Sequence, residues 1–235
     1  MSGVPQMREL DAMKETQMNR ALSGTGLSKN FGAVRALSGV DIHIPSGQAL
    51  AIMGPSGSGK STLLHCLSGI MRPSGGDVRL GSEPVSSLSD AQRSRLRLRN
   101  FGFVFQDGQL IPELSAEAAR HPGEVSGGQA QRIAIARALI TSPAVVFADE
   151  PTGALDQATG HEVMQILTTT TRMTGATLVV VTHDLQVARW CDRLVEIRDG
   201  RIHADSMQAQ QRTGLTEAEG AGLTEGFGSG ELDAR

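Results

Sequence analysis

The chain has 235 residues, with 22 lysines and arginines against 25 aspartates and glutamates, for a formal net charge of −3 at pH 7. A chain of this length can bury one substantial core, and its charge offers no electrostatic argument for a nucleic-acid partner. The two cysteines, Cys66 and Cys191, do not indicate a disulfide scaffold, so we expect reduced thiols in a cytoplasm.

Two compositionally distinct tails flank one predicted domain. Residues 1–22 have no sustained apolar period and are predicted to form a flexible extension, whereas residues 207–235, rich in Gly, Glu, Gln and Thr, are predicted to be disordered. The periodic apolar patterns fall in residues 23–206. No apolar run approaches the ~20 residues that span a bilayer, and the N-terminus lacks a hydrophobic secretory core, so we expect a soluble chain.

The apolar patterns of residues 23–206 predict an α/β fold. Residues 40–44 alternate apolar and polar side chains, as a half-buried antiparallel strand does, and Val78 and Leu80 are assigned to the same sheet. Further strands are predicted from short runs at 49–53, 101–105, 145–148 and 178–181. Helical spacing is found at Leu63, Leu64, Leu67 and Ile70, at Ile133, Ala134, Ala138 and Leu139, at Val163, Ile166 and Leu167, and from Leu185 to Cys191. Because strands and helices alternate, they predict a parallel core.

Two local patterns lie outside this alternation. Residues 194–204 carry Asp199-Gly200 at their centre, the strongest short hairpin signal. Four arginines, Arg93, Arg95, Arg97 and Arg99, form a basic comb that circles a helix or lines one strand face. A solvated surface is the simpler interpretation of this comb, and docking to an acidic or membrane-proximal partner is the alternative.

A glycine-rich loop follows the apolar run 49–53. Residues Gly54–Ser61 read G-P-S-G-S-G-K-S and fit the pattern G-x-x-x-x-G-K-[ST], in which backbone N–H groups converge on phosphate oxygens. The loop lies between a strand and the N-terminus of a helix, where unpaired amides and the helix dipole favour anions. Lys60 is predicted to pair with the β- and γ-phosphates, and the Ser61 hydroxyl to ligate Mg²⁺.

Two adjacent carboxylates end the apolar run 145–148. Asp149 and Glu150 are followed by Pro151, which breaks a helix. Asp149 is predicted to hold the Mg²⁺ of the nucleotide, and Glu150 to act as the general base on the attacking water. A solvated acidic turn is the alternative for this pair taken alone. Together, loop and carboxylates indicate hydrolysis of ATP.

The order of motifs along the chain resembles that of the ATP-binding cassette (ABC) ATPases. The resemblance covers about residues 27–204 and depends on the loop, the acidic pair, Gln106, His183 and the segment Ser126–Gln129, which reads S-G-G-Q. Residues 148–153, A-D-E-P-T-G, make it most similar to the subunits that drive macrolide, lipoprotein and cell-division type exporters. It implies a P-loop NTPase core of mixed and parallel sheet flanked by helices, with an N-terminal antiparallel β subdomain and a helical subdomain.

The resemblance also implies roles for single residues. Phe31 would stack on adenine, although an aromatic residue in a strand is as often part of a core. Gln106 would contact Mg²⁺ and the attacking water, and His183 would hydrogen-bond the γ-phosphate and orient Glu150. The residues so assigned to the nucleotide are Phe31, Gly54, Pro55, Ser56, Gly57, Ser58, Gly59, Lys60, Ser61, Thr62, Ser126, Gly127, Gly128, Gln129 and Asp156. Those assigned to the metal are Ser61, Gln106 and Asp149.

The implied partners are ATP with Mg²⁺, a membrane permease subunit, and a second ATPase. Ser126–Gln129 would bind the γ-phosphate held by the opposite subunit, and Asp156 would lie at the same seam, so the site requires a homodimer or a paired homologue. The protein would be cytoplasmic and attached to the inner face of the membrane through its permease. Its cargo is not encoded in this chain.

One segment departs from the family pattern. Nineteen residues separate Gln106 from Ser126, which is room for roughly one helix where the family inserts a multi-helix subdomain. Because the flanks of the segment resemble the two ends of that subdomain, the predicted loss is internal, and the predicted helical subdomain is truncated. Two alternatives to a transport ATPase therefore stay open: a nucleotide-binding regulator or scaffold of the cell-division type, and a catalytically decayed copy.

Overall fold

The structure is a computed structural model that describes residues 20–105 and 126–206. Its strands are β1 (Leu22–Phe31), β2 (Val34–Ile44), β3 (Ala49–Met53), β4 (Gly75–Leu80), β5 (Glu83–Pro84), β6 (Phe101–Phe105), β7 (Val145–Asp149), β8 (Thr177–Val181), β9 (Arg193–Arg198) and β10 (Arg201–Asp205). Its helices are α1 (Lys60–Leu67), α2 (Asp90–Asn100), α3 (Gly127–Leu139), α4 (Gln157–Thr174) and α5 (Leu185–Ala188). None of these helices is long and apolar enough to cross a bilayer.

The N-terminal strands form an antiparallel sheet with the order β2-β1-β4-β5. Val40, Ile42 and Ile44 are buried while the residues between them are exposed, which confirms the half-buried strand. β4 pairs with β1, so the assignment of Val78 and Leu80 to this sheet is also confirmed.

The second sheet has the strand order β10-β9-β3-β8-β7-β6. Neighbouring strands from β9 to β6 run parallel, and β10 joins β9 as the antiparallel arm of a hairpin around Asp199-Gly200, as predicted. The sheet is thus mixed, and the α/β fold class is confirmed.

Successive residues of the parallel strands enter two different cores, as the two-residue period of a strand requires. In β7, Val145 and Phe147 pack with α1 and the antiparallel sheet, whereas Val146 and Ala148 pack with α3 and α4. Because both faces are covered, these strands read as continuous apolar runs.

Three helical expectations need correction. Ile70 lies beyond the end of α1 and is 42% exposed, and the helix predicted for 185–191 ends at Ala188. On α3, Ile133 is 46% exposed, while Ile135 is buried beside Ala134 and Ala138. Isoleucines on both sides of Ala134 made two helix faces equally apolar, and contact with the sheet selected the face that includes Ile135.

The arginine comb lies on α2 and is only partly solvated. Arg95 and Arg99 are exposed, but Arg93 is buried and pairs with Asp90. Arg97 donates to the carbonyl of Gly69 at 2.7 Å. A helix turns by about 100° per residue, so alternate arginines point to different sides. The expectation of a wholly solvated comb is therefore wrong for Arg93.

Candidate active site

The glycine-rich loop joins β3 to α1 and has no space for side chains at two positions. Gly54 has φ +148°, and a Cβ there would lie 2.1 Å from the carbonyl oxygen of Ile197. Gly59 has φ +104°, and a Cβ there would lie 2.5 Å from the carbonyl oxygen of Ala36. Backbone from two other strands thus packs against the outside of the loop, and only glycine fits between them.

Not every polar group of the loop has a hydrogen-bond partner among the described residues. The Ser58 hydroxyl is buried and has no hydrogen-bond partner in the described residues, while Lys60 Nζ reaches back to the carbonyls of Gly54 and Pro55 at 2.8 and 2.9 Å. A buried hydroxyl without a partner costs about 1–3 kcal/mol, which a phosphate oxygen would relieve. Ser56 and Gly57 form the exposed apex, and Thr62 is partly buried. This loop fits a phosphate group.

The acidic pair meets the loop in space. Ser61 Oγ donates to Asp149 Oδ1 at 3.3 Å, because the end of β7 lies close to the start of α1. Burial raises the pKa of Asp149, and the hydrogen bond from Ser61 with the charges of His65 and Lys60 opposes that rise. A hydroxyl and a carboxylate side by side are the oxygen ligands that Mg²⁺ prefers, so these two residues fit the metal predicted for them.

Glu150 follows Asp149 with a left-handed backbone, φ +48°, which is uncommon for a side chain other than glycine. Its Oε1 is 2.8 Å from His183 Nδ1, and its Oε2 accepts from Thr182 Oγ1 at 3.3 Å. Since a carboxylate only accepts, Nδ1 carries the hydrogen of this bond. Both carboxylate oxygens are therefore held by the segment that follows β8.

Thr182 is a site residue that the sequence reasoning missed. Its hydroxyl donates to Glu150 and accepts from the N–H of Asp184 at 3.1 Å, and the residue is buried. Asp184 in turn caps α5 by accepting from the N–H of Gln186. The sequence signal that could have identified Thr182 is a hydroxyl side chain between a buried strand and a histidine.

The segment Ser126–Gln129 starts α3 and packs against the start of α4. Ser126 and Gln129 form a reciprocal capping box, in which the side chain of each accepts from the backbone N–H of the other. A Cβ on Gly128 would lie 2.3 Å from Thr159 Cγ2, and one on Gly127 would lie 3.2 Å from Leu155 Cδ2. The two helix N-termini are therefore side by side.

Asp156 is the N-cap of α4. It accepts from the backbone N–H of Thr159 at 3.0 Å and from its hydroxyl at 2.7 Å, and these bonds lower the pKa of Asp156. Within the described residues no hydrogen bond joins either helix N-terminus to the glycine-rich loop. One chain thus presents two separate groups of predicted nucleotide ligands.

Phe31 lies at the end of β1 with 48% of its surface exposed, so it is not a core residue. Lys29 Nζ lies 5.3 Å from the centre of its ring. Gln106 and the shortened segment that follows it lie outside the described residues. Gln131 is buried on α3 and donates to the carbonyl of Phe105 at 3.1 Å, which ties this helix to the strand that precedes Gln106.

A mixed sheet with a phosphate loop after one central strand and an acidic pair after another defines a P-loop nucleotide-binding domain. The family model described as ABC transporter matches residues 37–119 and 115–153. The lipoprotein-releasing system ATP-binding protein LolD of Geobacter metallireducens is 39% identical over 225 residues, covering 80% of this chain and 100% of LolD. The chain therefore belongs to the ABC transporter ATPase family.

Other relatives agree with the predicted branch. The macrolide export ATP-binding/permease protein MacB of Sodalis glossinidius is 41% identical over 79% of this chain, which spans about a third (34%) of the length of MacB. The solved dimeric structure of MJ0796, a bacterial ABC transporter cassette, is 34% identical with a TM-score of 0.71, covering 78% of this chain and 97% of that one. The same cassette has been solved as a dimer in a post-hydrolysis state bound to ADP and Pi.

The family match is interrupted where the sequence departs from the family. The family model aligns with this chain in two separate pieces, which share residues 115–119, inside the segment between Gln106 and Ser126. The interruption agrees with an internal loss at that place.

Proposed function

We propose that the chain binds ATP with Mg²⁺ in the loop Gly54–Ser61, hydrolyses it, and so energises a membrane permease of the exporter type. The observation that carries the proposal is the meeting of three segments distant in sequence. Ser61 lies 3.3 Å from Asp149, and the adjacent Glu150 lies 2.8 Å from His183. The residues proposed as phosphate loop, metal ligands, base and orienting imidazole therefore lie in contacting segments, which supports the proposal.

In this proposal these residues act mainly by positioning the phosphates, Mg²⁺ and the attacking water. Backbone N–H groups of the loop and Lys60 hold the β- and γ-phosphates, and Ser61 and Asp149, with Gln106, would hold Mg²⁺. When bound, Mg²⁺ neutralises charge on the phosphates. Glu150 accepts a proton from the attacking water, a role worth ~10²–10⁴ in rate. His183 keeps the carboxylate pointed at that water.

Assembly of the full site requires a second subunit in this proposal. Ser126–Gln129 and Asp156 lie apart from the loop of their own chain, and the Ser126 hydroxyl, which accepts from Gln129, keeps its hydrogen for a phosphate oxygen. Dimeric relatives support this arrangement. Binding of two nucleotides would close a homodimer, or a pair with a homologue, and hydrolysis would reopen it.

Coupling to a permease places the chain on the cytoplasmic face of the membrane, where it drives export. The names of its relatives support this step, because LolD belongs to a lipoprotein-releasing system and MacB is a macrolide export protein. The cargo of the present chain is left to its permease.

The test is an ATPase assay across protein concentration, with and without the neighbouring permease. Mg²⁺-dependent turnover per chain should rise with protein concentration and with permease, and should be lost in Lys60→Ala and Glu150→Gln. Glu150→Gln should still form an ATP-dependent dimer. Turnover that persists in Lys60→Ala would contradict the proposed site.

The two alternative functions would give different results in the same assay. Absence of turnover, together with absence of an ATP-dependent dimer in Glu150→Gln, would indicate a decayed copy. An ATP-dependent change in affinity for a soluble partner, without a permease, would indicate a regulator or scaffold.

A further inference from the structure

The turn between β9 and β10 packs directly behind the glycine-rich loop. The N–H of Gly200 donates to the carbonyl of Ser58 at 3.0 Å, and the carbonyl of Gly200 accepts from the N–H of Ser38 at 2.9 Å. One residue of the turn is therefore hydrogen-bonded both to the phosphate loop and to β2. None of the motifs that define the family site includes this turn.

The bond from Gly200 determines the direction of a donor on the other side of the loop. The peptide between Ser58 and Gly59 is trans, so its carbonyl and its N–H point in opposite directions. With the Ser58 carbonyl turned toward Gly200, the N–H of Gly59 is directed away from the turn. This N–H has no hydrogen-bond partner among the described residues, and it lies next to Lys60.

Gly200 occupies a position where a side chain cannot be accommodated. Its φ is +69°, and a Cβ there would lie 2.6 Å from the carbonyl oxygen of Ala36 and 3.0 Å from Leu37 Cα. These neighbours are backbone atoms of β2, and the same Ala36 carbonyl would lie 2.5 Å from a Cβ on Gly59. Any side chain at 200 must therefore displace the turn from Ser58 or shift β2, whose Ala36 carbonyl also packs against Gly59.

We infer that Gly200 is a positioning residue for the triphosphate: by holding the Ser58 carbonyl, it directs the Gly59 N–H at a phosphate oxygen. The inference rests on the proposed function of the loop. The inference specifies that the turn acts on the phosphate part of the ligand and not on the base. This distinction needs a test, because the turn also contacts β2, which follows Phe31, the residue expected to stack on adenine.

The test compares Gly200→Ala with Gly175→Ala as a matched control. Gly175, at the C-terminal cap of α4, has φ +71°, and a Cβ there would meet no atom within 4 Å, so both variants place alanine at nearly the same positive φ but only Gly200→Ala meets other atoms. Dissociation constants for ATP and for inorganic tripolyphosphate are measured by competition against a fluorescent nucleotide, below the melting temperature of every variant. Tripolyphosphate probes the loop without the base.

Gly200→Ala should raise the dissociation constants of both ligands by about tenfold or more, which is the loss expected when one hydrogen bond to a charged group is misdirected. Gly175→Ala should bind both ligands as the wild type does. If Gly200→Ala does not fold, inserting one glycine between Asp199 and Gly200 lengthens the turn without adding a side chain. That variant should show the same loss for both ligands.

Two results would overturn the inference while leaving the proposed function intact. One is binding of both ligands by Gly200→Ala as tight as that of Gly175→Ala. The other is a loss confined to ATP with tripolyphosphate unaffected, since the turn would then act through the base-binding sheet. A wild-type chain that bound neither ligand would contradict the proposed function itself, and with it this inference.

Discussion

The Glu150 carboxylate is held at both of its oxygens, by His183 at 2.8 Å and by Thr182 at 3.3 Å. The His183 residue is exposed, whereas Thr182 is buried. A general base must lie within hydrogen-bond distance of the proton that it removes, and its oxygen must face that proton. We therefore propose that the buried Thr182 hydroxyl fixes the direction of the Glu150 carboxylate.

Thr182→Val should lower kcat by about tenfold or more at an unchanged KM for ATP, because it removes a hydrogen bond to a charged group and no contact to the phosphate loop. Thr182→Ser keeps the hydroxyl and should restore turnover. Steady-state kinetics on the two variants make the comparison. A folded Thr182→Val with wild-type kcat would show that the hydroxyl does not position the base.

The Asp149 carboxyl group is partly buried, and this burial raises its pKa above the ordinary value of 3.8. A carboxyl group whose pKa is raised on folding favours the folded state in its protonated form. Its ionisation therefore costs stability above the raised pKa, and the cost disappears as the pH falls through that pKa. The folded chain therefore disfavours the charged form of Asp149, as we expect of a carboxylate whose proposed role is to bind Mg²⁺.

Asp149→Asn should melt at a higher temperature than the wild type at neutral pH without nucleotide or metal. The gain should shrink as the pH falls through the raised pKa toward 3.8, where the wild-type carboxyl becomes neutral. Thermal melts across pH measure this difference. With ATP and Mg²⁺ the order should reverse, and a variant less stable than wild type at neutral pH without ligand would refute this account.

At the scale of elements, the N-termini of α3 and α4 are joined by a close contact between Gly128 and Thr159. The contact leaves no space for a methyl group on Gly128, while the Thr159 hydroxyl bonds to Asp156. The two predicted dimer-facing segments, Ser126–Gln129 and Asp156, are therefore coupled through one threonine.

Gly128→Ala should destabilise the protein by about 1–2 kcal/mol, since overpacking costs more than the helix propensity that alanine gains. Thr159→Ser removes the clashing methyl group and keeps the hydroxyl that caps α4. The double variant should therefore be more stable than the sum of the single changes predicts, as measured by urea denaturation. Additive effects would mean that the two helices are not in contact at this point.

Local pattern predicted the strands better than the helix faces. The runs 49–53, 145–148 and 178–181 are strands because each is apolar on both faces and short. On α3 the helical spacing selected Ile133 instead of Ile135, because the buried face depends on which side of the helix meets β6. Burial of Arg93 was missed for a similar reason, since it depends on where α2 packs near Gly69, whereas its pairing with Asp90 is local to the helix.

At the scale of the whole molecule, the parallel order of the sheet assembles the site. β8 lies between β3 and β7, and the three strands point the same way, so the segments after them, which begin with Gly54, Glu150 and Thr182, meet at one edge. The sequence, through its motifs and the family resemblance, predicted that Ser61 would lie near Asp149 and His183 near Glu150. It did not predict the contact of the β9–β10 turn with the loop, because that contact depends on the position of β9 beside β3.

The measurement that tests the central claim most directly is calorimetric titration of Glu150→Gln with ATP and Mg²⁺, since this variant should bind without turnover. We expect saturable binding of one nucleotide per chain, and loss of that binding in the double variant Lys60→Ala/Glu150→Gln. Absence of binding, or binding that the lysine substitution leaves unchanged, would contradict the assignment of Gly54–Ser61 as the triphosphate site.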